Sequence, residues 1–203
     1  MLKIGVLASG GGTNLQAIID SIESGGLDCE VAVVISDNPT ARAIERAKKH
    51  GIRTEVITKA EYPERETYDR RAVELLKGCT VGLVVLAGFM RILSSVLIKA
   101  FPMRIMNIHP ALLPSFPGLS VQRKAIEYGV KFSGCTVHFV DEGVDTGPII
   151  IQAVVPVIDD DTEETLAERI LAEEHRIYPE AIRLFAEGRI EVRGRRTIIK
   201  RVE

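Results

Sequence analysis

A short apolar run that breaks into three consecutive glycines, with a helix-spaced segment directly behind, constrains this chain more than any other feature. Residues 2–8 (Leu-Lys-Ile-Gly-Val-Leu-Ala) read as a strand, and Ser9-Gly10-Gly11-Gly12-Thr13-Asn14 follows. Apolar residues then recur at helical spacing through residues 15–22. Glycine lets the backbone turn sharply and approach a ligand closely. The helix behind it aims unpaired N–H groups and the positive end of its dipole at the loop. An anionic group, such as a phosphate, is the natural occupant. A Walker loop needs Gly-Lys-Ser/Thr, and no lysine is present here. The dinucleotide pattern is half met: Gly10 and Gly12 fit, Leu15 stands where the third glycine belongs, and Asp37 sits where a ribose-binding acid would be. An NAD(P) site and a loop that only turns the chain both stay open.

The strand–helix alternation continues. Residues 31–35 are β-branched and end in the turn Ser36-Asp37-Asn38-Pro39; residues 41–50 are helical, with Gly51 as C-cap. Residues 54–57 and 81–87 read as strands and 65–77 as an amphipathic helix ended by Gly78. Continuous apolar strands between helices imply a parallel sheet with helices on both faces, a Rossmann-like α/β fold. The second half differs, with strands at 103–108, 135–139 and 149–156, a helix at 121–128, and a long helical stretch at 163–187 that Pro179 could break. Residues 190–199 read as a hairpin, so antiparallel additions are expected in the C-terminal half. At 203 residues, without linker or repeat, a single domain spanning 1–203 is the economical reading.

Composition narrows the function. The formal net charge is −2, so no global basic excess points to nucleic acid. The basic tail (Arg189, Arg193, Arg195, Arg196, Lys200, Arg201) could touch RNA or be a solvated hairpin. Cys29, Cys79 and Cys135 are odd in number and far apart, which suits reduced thiols better than disulfides or zinc. No apolar run approaches the ~20 residues of a membrane span, and the N-terminus lacks a signal-peptide pattern, so a cytoplasmic protein is expected.

Asn107-Ile108-His109-Pro110 closes a strand. Two residues apart on a strand means one face, so Asn107 and His109 point the same way. Asparagine offers a neutral donor to an oxyanion, and histidine can give or take a proton near neutrality. Asp145 lies between Gly143 and Gly147 just before a strand, on a loop able to approach other groups. Sequence spacing alone does not pair it with His109. His138 alternates with Val137 and Phe139 and reads as a structural residue.

With these residues in view, the chain resembles the glycinamide ribonucleotide formyltransferases. Five segments in order carry the resemblance: the Ser-Gly-Gly-Gly-Thr-Asn-Leu-Gln loop; Leu-Ala-Gly-Phe-Met-Arg-Ile-Leu at 86–93; Asn-Ile-His-Pro at 107–110 with Leu-Leu-Pro after it; Val-His-Phe-Val at 137–140 through Asp-Thr-Gly-Pro at 145–148; and Glu-His-Arg-Ile-Tyr-Pro at 174–179. The resemblance implies that Gly12, Thr13 and Asn14 hold the substrate phosphate and that Glu174 lies near the glycinamide. Met90, Arg91, Ile92 and Leu93, with Val140 and Asp141, would form the folate pocket. Asn107, His109 and Asp145 would be the catalytic trio. It further implies 10-formyltetrahydrofolate as co-substrate, glycinamide ribonucleotide as acceptor, no metal, no nucleic acid or membrane partner, and a monomer or homodimer. Ser120-Val121-Gln122 stands where some relatives carry histidines. The rivals are methionyl-tRNA formyltransferase and formyltetrahydrofolate hydrolase, which usually carry an extra domain, and a non-catalytic nucleotide- or NAD-binding module.

Overall fold

The computed structural model describes residues 1–201 and divides into two compact units, Met1–Asn107 and Ile108–Glu203.

The first unit is a run of β-α repeats: β1 (Leu2–Leu7), α1 (Thr13–Glu23), β2 (Cys29–Ser36), α2 (Arg42–Lys49), β3 (Thr54–Val56), α3 (Arg65–Gly78), β4 (Leu83–Leu86), α4 (Ser95–Ala100) and the start of β5 (Ile105–His109). Its strands pair in parallel in the order β3-β2-β1-β4-β5. The order reverses at β1. Right-handed crossovers therefore put α1 and α2 on one face and α3 and α4 on the other, and α1 packs with α2 and α3 with α4. With both faces covered, the central strands have no wet side: all four residues of β4 are buried, as are Ile4, Val6, Val33, Val34 and Ile35. That is why these segments read as continuous apolar runs instead of alternating ones. Gly51, at φ 67°, follows α2 as its sequence predicts.

One element is absent from the sequence reading. Helix α4 has only six residues, too few for a periodic signal, and is set by its cap: Ser94 Oγ accepts the Val96 N–H. Ser94 N–H in turn donates to the buried Asp69 carboxylate on α3.

The second unit contains the end of β5, α5 (Val121–Tyr128), β6 (Phe132–Phe139), β7 (Ile149–Pro156), α6 (Glu163–Ala186), β8 (Ile190–Arg193) and β9 (Arg196–Ile199). Strand order is β6-β7-β9-β8, with β6–β7 and β8–β9 antiparallel and β7–β9 parallel. The expected antiparallel additions are present, and the tail is a hairpin. Four of its basic residues face acidic partners or backbone: Arg189 pairs with Glu187, Arg193 and Lys200 with Glu191, and Arg195 donates to the Thr146 carbonyl.

The expected break at Pro179 does not occur. Helix α6 runs through it for 24 residues. Ile177, Tyr178, Pro179, Ala181 and Ile182 are all buried, and that packing outweighs the loss of one helical hydrogen bond. Among the described residues no helix is long and apolar enough to cross a membrane.

Candidate active site

The glycine loop lies at the C-terminal end of β1, where ligands gather in open parallel sheets. Gly12 caps α1 from the left-handed region, at φ 68°. A β-carbon there would sit 2.7 Å from the Ala43 Cα, so the position requires glycine for its torsion and for its close approach to α2. Gly10 and Gly11 are not crowded in this way, and their carbonyls are engaged from α2: Ala43 N–H donates to Gly10 O (3.1 Å) and Arg46 Nε to Gly11 O (3.0 Å). A helix N-terminus behind such a loop, with the loop carbonyls drawn toward α2, has the polarity that suits an anion. Thr13 is half-buried and Asn14 buried. Asp37 is half-buried after β2, and its Oδ1 has no hydrogen-bond partner.

Beyond β4 the chain passes through residues 88–94. Met90 and Ile92 are 71% and 60% exposed, Leu93 is buried, and the Arg91 guanidinium lies 4.0 Å from the ring centre of the buried Tyr68. Two large apolar side chains facing outward on one short segment form the kind of surface a flat ring system covers.

In the second unit the structure brings together His109 and Asp145, which sequence spacing could not pair. His109 is 4% exposed at the end of β5. Its Nδ1 lies 3.4 Å from Asp145 Oδ2 and its Nε2 2.9 Å from the Phe116 carbonyl. Both ring nitrogens face oxygen acceptors. The same Asp145 oxygen accepts the Gly118 N–H at 2.9 Å. Phe116 and Asp145 both hold positive φ, 52° and 55°.

His138 is a buried residue of β6 that also lies near Asp145. Its Nδ1 contacts the Phe139 carbonyl at 2.8 Å, and its Nε2 lies 3.7 Å from Asp145 Oδ1. The Asp145 carboxylate therefore stands between two imidazoles. Burial pushes the His138 imidazole below its ordinary value, against the raising effects of the Phe139 carbonyl and Asp145. A register shift between Val137 and His138 in the β6–β7 ladder accompanies this turn of the side chain; no residue type in the sequence announces it.

The loop that carries Asp145 is fastened from within. Asp141 Oδ1 accepts the Gly143 N–H (3.1 Å) and the Thr146 hydroxyl (2.6 Å). At Gly147 a β-carbon would collide with the Phe139 carbonyl. Val140 and Asp141 are half-buried at the start of this loop, Glu174 is buried on α6, and Asn107 is half-buried on β5, two residues before His109. Among the described residues no group of three or more His, Cys, Asp or Glu side chains could hold a metal ion.

The first unit carries a glycine loop at the end of its first strand, and the second an imidazole–carboxylate pair of the kind enzymes use for acid–base chemistry. Comparison with known proteins narrows this: the chain belongs to the formyl transferase family, whose model matches residues 2–182. Phosphoribosylglycinamide formyltransferase of Escherichia coli is 42% identical over 191 residues, 94% of this chain and 90% of that protein. The trifunctional purine biosynthetic protein adenosine-3 of Drosophila melanogaster is 47% identical over 188 residues; these cover 92% of this chain but 14% of that much longer protein. The crystal structure of glycinamide ribonucleotide transformylase 1 from Symbiobacterium toebii superposes with a TM-score of 0.97 at 57% identity, covering 98% of this chain and 94% of that one.

Proposed function

We propose that this chain, acting as a single formyltransferase domain in the cytoplasm, transfers the formyl group of 10-formyltetrahydrofolate to the amine of glycinamide ribonucleotide. The observation that carries the choice of acceptor is the match to single-activity relatives over nine-tenths or more of both chains. The glycine loop supports it, because a phosphorylated acceptor needs an anion site and the hydrolytic use of the same donor does not.

In this reading the acceptor phosphate rests on the backbone of Gly12, Thr13 and Asn14. Glu174 binds the glycinamide end. The pterin lies against Met90, Arg91, Ile92 and Leu93, with Val140 and Asp141 completing the pocket; the exposed Met90 and Ile92 side chains fit an apolar ring. Asn107, His109 and Asp145 act on the formyl group. The neutral amine attacks the formyl carbon, and the carbonyl electron pair moves onto oxygen. Asn107 and a protonated His109 donate to that oxyanion. For His109 this means trading the Phe116 carbonyl, which now faces Nε2, for the developing charge. The intermediate collapses by breaking the bond to N10, and the proton lost by the attacking amine reaches N10 with Asp145 as relay. No Ser or Cys stands among these residues, so transfer is direct and no formyl-enzyme forms.

The test is a spectrophotometric assay of folate product with and without glycinamide ribonucleotide. Product that requires the ribonucleotide supports the proposal. Equal product without it means transfer to water, and no product with either overturns the reading.

A further inference from the structure

Ser9 directly precedes the glycine loop in the chain and makes two hydrogen bonds to the segment at residues 88–90. Its N–H donates to the Gly88 carbonyl (3.1 Å), and its hydroxyl accepts the Met90 N–H (3.0 Å). The residue after it is Gly10, the first of the phosphate loop. These bonds prolong the β1–β4 pairing beyond the strands: the ladder runs to Leu7↔Leu86, Ala87 N–H donates to Leu7 O, and Ser9 then supplies two further rungs. The second rung comes from a side chain because Gly88 turns the backbone away at φ 69°. Asn38, from the end of β2, reaches the Ser9 carbonyl with its Nδ2 at 3.4 Å.

The segment that Ser9 grips is also held from α3. Asp69 holds the Ser94 N–H, and Tyr68 meets Phe89 ring to ring and Arg91 through its guanidinium. Helix α3 therefore holds residues 89, 91 and 94, and the Ser9 hydroxyl holds Met90 between the first two. The glycine loop is likewise pinned on its α2 side, by Ala43 and Arg46. Ser9 thus joins the glycine loop, through Gly10, to the backbone that bears Met90 and Ile92.

We infer that Ser9 is a positioning residue that couples the two substrates, so that occupancy of the glycine loop orders residues 88–92 and raises affinity for the folate. The inference rests on the proposed assignment of phosphate to the loop and pterin to Met90–Leu93. Coupling of this kind is reciprocal, and typical values are about 5- to 150-fold.

The experiment measures binding, not turnover. The dissociation constant of a non-reactive dideaza folate analogue is determined by calorimetry with and without saturating glycinamide ribonucleotide, for the wild type, Ser9→Ala, Ser9→Cys and Ser9→Thr. The wild type is expected to bind the analogue about fivefold or more tightly with the ribonucleotide present. In Ser9→Ala that ratio falls toward one, while each ligand alone binds within about threefold of wild type. Ser9→Thr, which keeps the hydroxyl, restores the ratio. Ser9→Cys, a near-isostere and a weak acceptor, behaves as the alanine variant and replaces it if alanine impairs folding. In parallel, amide exchange at Met90 is followed with inorganic phosphate as the only ligand. Phosphate slows it in the wild type and not in Ser9→Ala. A wild-type ratio near one, or a wild-type ratio kept in Ser9→Ala or Ser9→Cys, overturns the coupling. If the ribonucleotide fails to bind at all, the acceptor assignment falls, and the phosphate-dependent protection of Met90 alone decides the role of Ser9.

Discussion

Asp145 holds a left-handed backbone, φ 55°, that costs a residue with a β-carbon about 1 kcal/mol or more. In return the carboxylate reaches Gly118 N–H, His109 and His138 at once. Asparagine tolerates the same torsion and can still accept from Gly118, so Asp145→Asn removes the charge and leaves the loop. Its turnover is expected to fall by about 10²-fold or more, with a melting curve close to wild type; turnover within threefold of wild type would remove the carboxylate from the chemistry. At this scale the sequence was legible where strand periodicity governs. Asn107 and His109 must share a face because they are two apart, and Gly12 was recognisable as a turn glycine. The His109–Asp145 pair was not legible, because nothing local connects a strand end with a distant loop. The nearness of His138 to Asp145 was not legible either, because alternation with Val137 and Phe139 shows only a packed strand residue.

At the scale of elements, α6 shows how a single carboxylate can start a helix. Asp161, its side chain 3% exposed, accepts both Arg169 Nη1 and Nη2 at 2.8 Å, the Thr165 hydroxyl, and the Ile158 N–H. Next to it Thr162 and Thr165 cap each other. The Arg169 guanidinium holds the Asp161 carboxyl well below the usual carboxylate range. A carboxyl depressed on folding contributes stability that is present above its unfolded value, near pH 4, and is lost as pH falls below it. Asp161→Asn is therefore expected to lower the melting temperature by about 3 °C or more at pH 7, with the gap from wild type narrowing below about pH 4. A gap constant across pH would show that shape, not charge, matters there. The helices were legible where apolar periodicity extends over two or more turns. Helix α4 was too short to show a period, and at Pro179 tertiary burial overrode the local rule.

For the whole molecule, the alternation of apolar runs and amphipathic helices was sufficient to indicate a parallel α/β fold in the first unit, because each β-α-β repeat is a local object. In the second unit β7 pairs in parallel with β9, across the whole of α6. Such a pairing depends on contacts far apart in sequence and leaves no periodic trace. The family resemblance, carried by five short segments in order, conveyed more about this half than propensity could.

Burial also sets the reactivity of the three thiols. Cys29 and Cys135 are buried, and burial pushes each up to about 12, with Asp28 adding to the effect at Cys29 and Glu174 and Glu173 at Cys135. Cys79, at the end of α3, is half-exposed. Since the thiolate is the reacting species, a maleimide dye at neutral pH should attach to Cys79 alone. Mass spectrometry of the native protein should find one label per chain, and two or three on brief labelling would contradict the sealed environment of the other thiols. In denaturant all three should react. The protein thus carries its own unfolding gauge: the number of dyes per molecule counts how much of the interior has opened, with no probe to engineer.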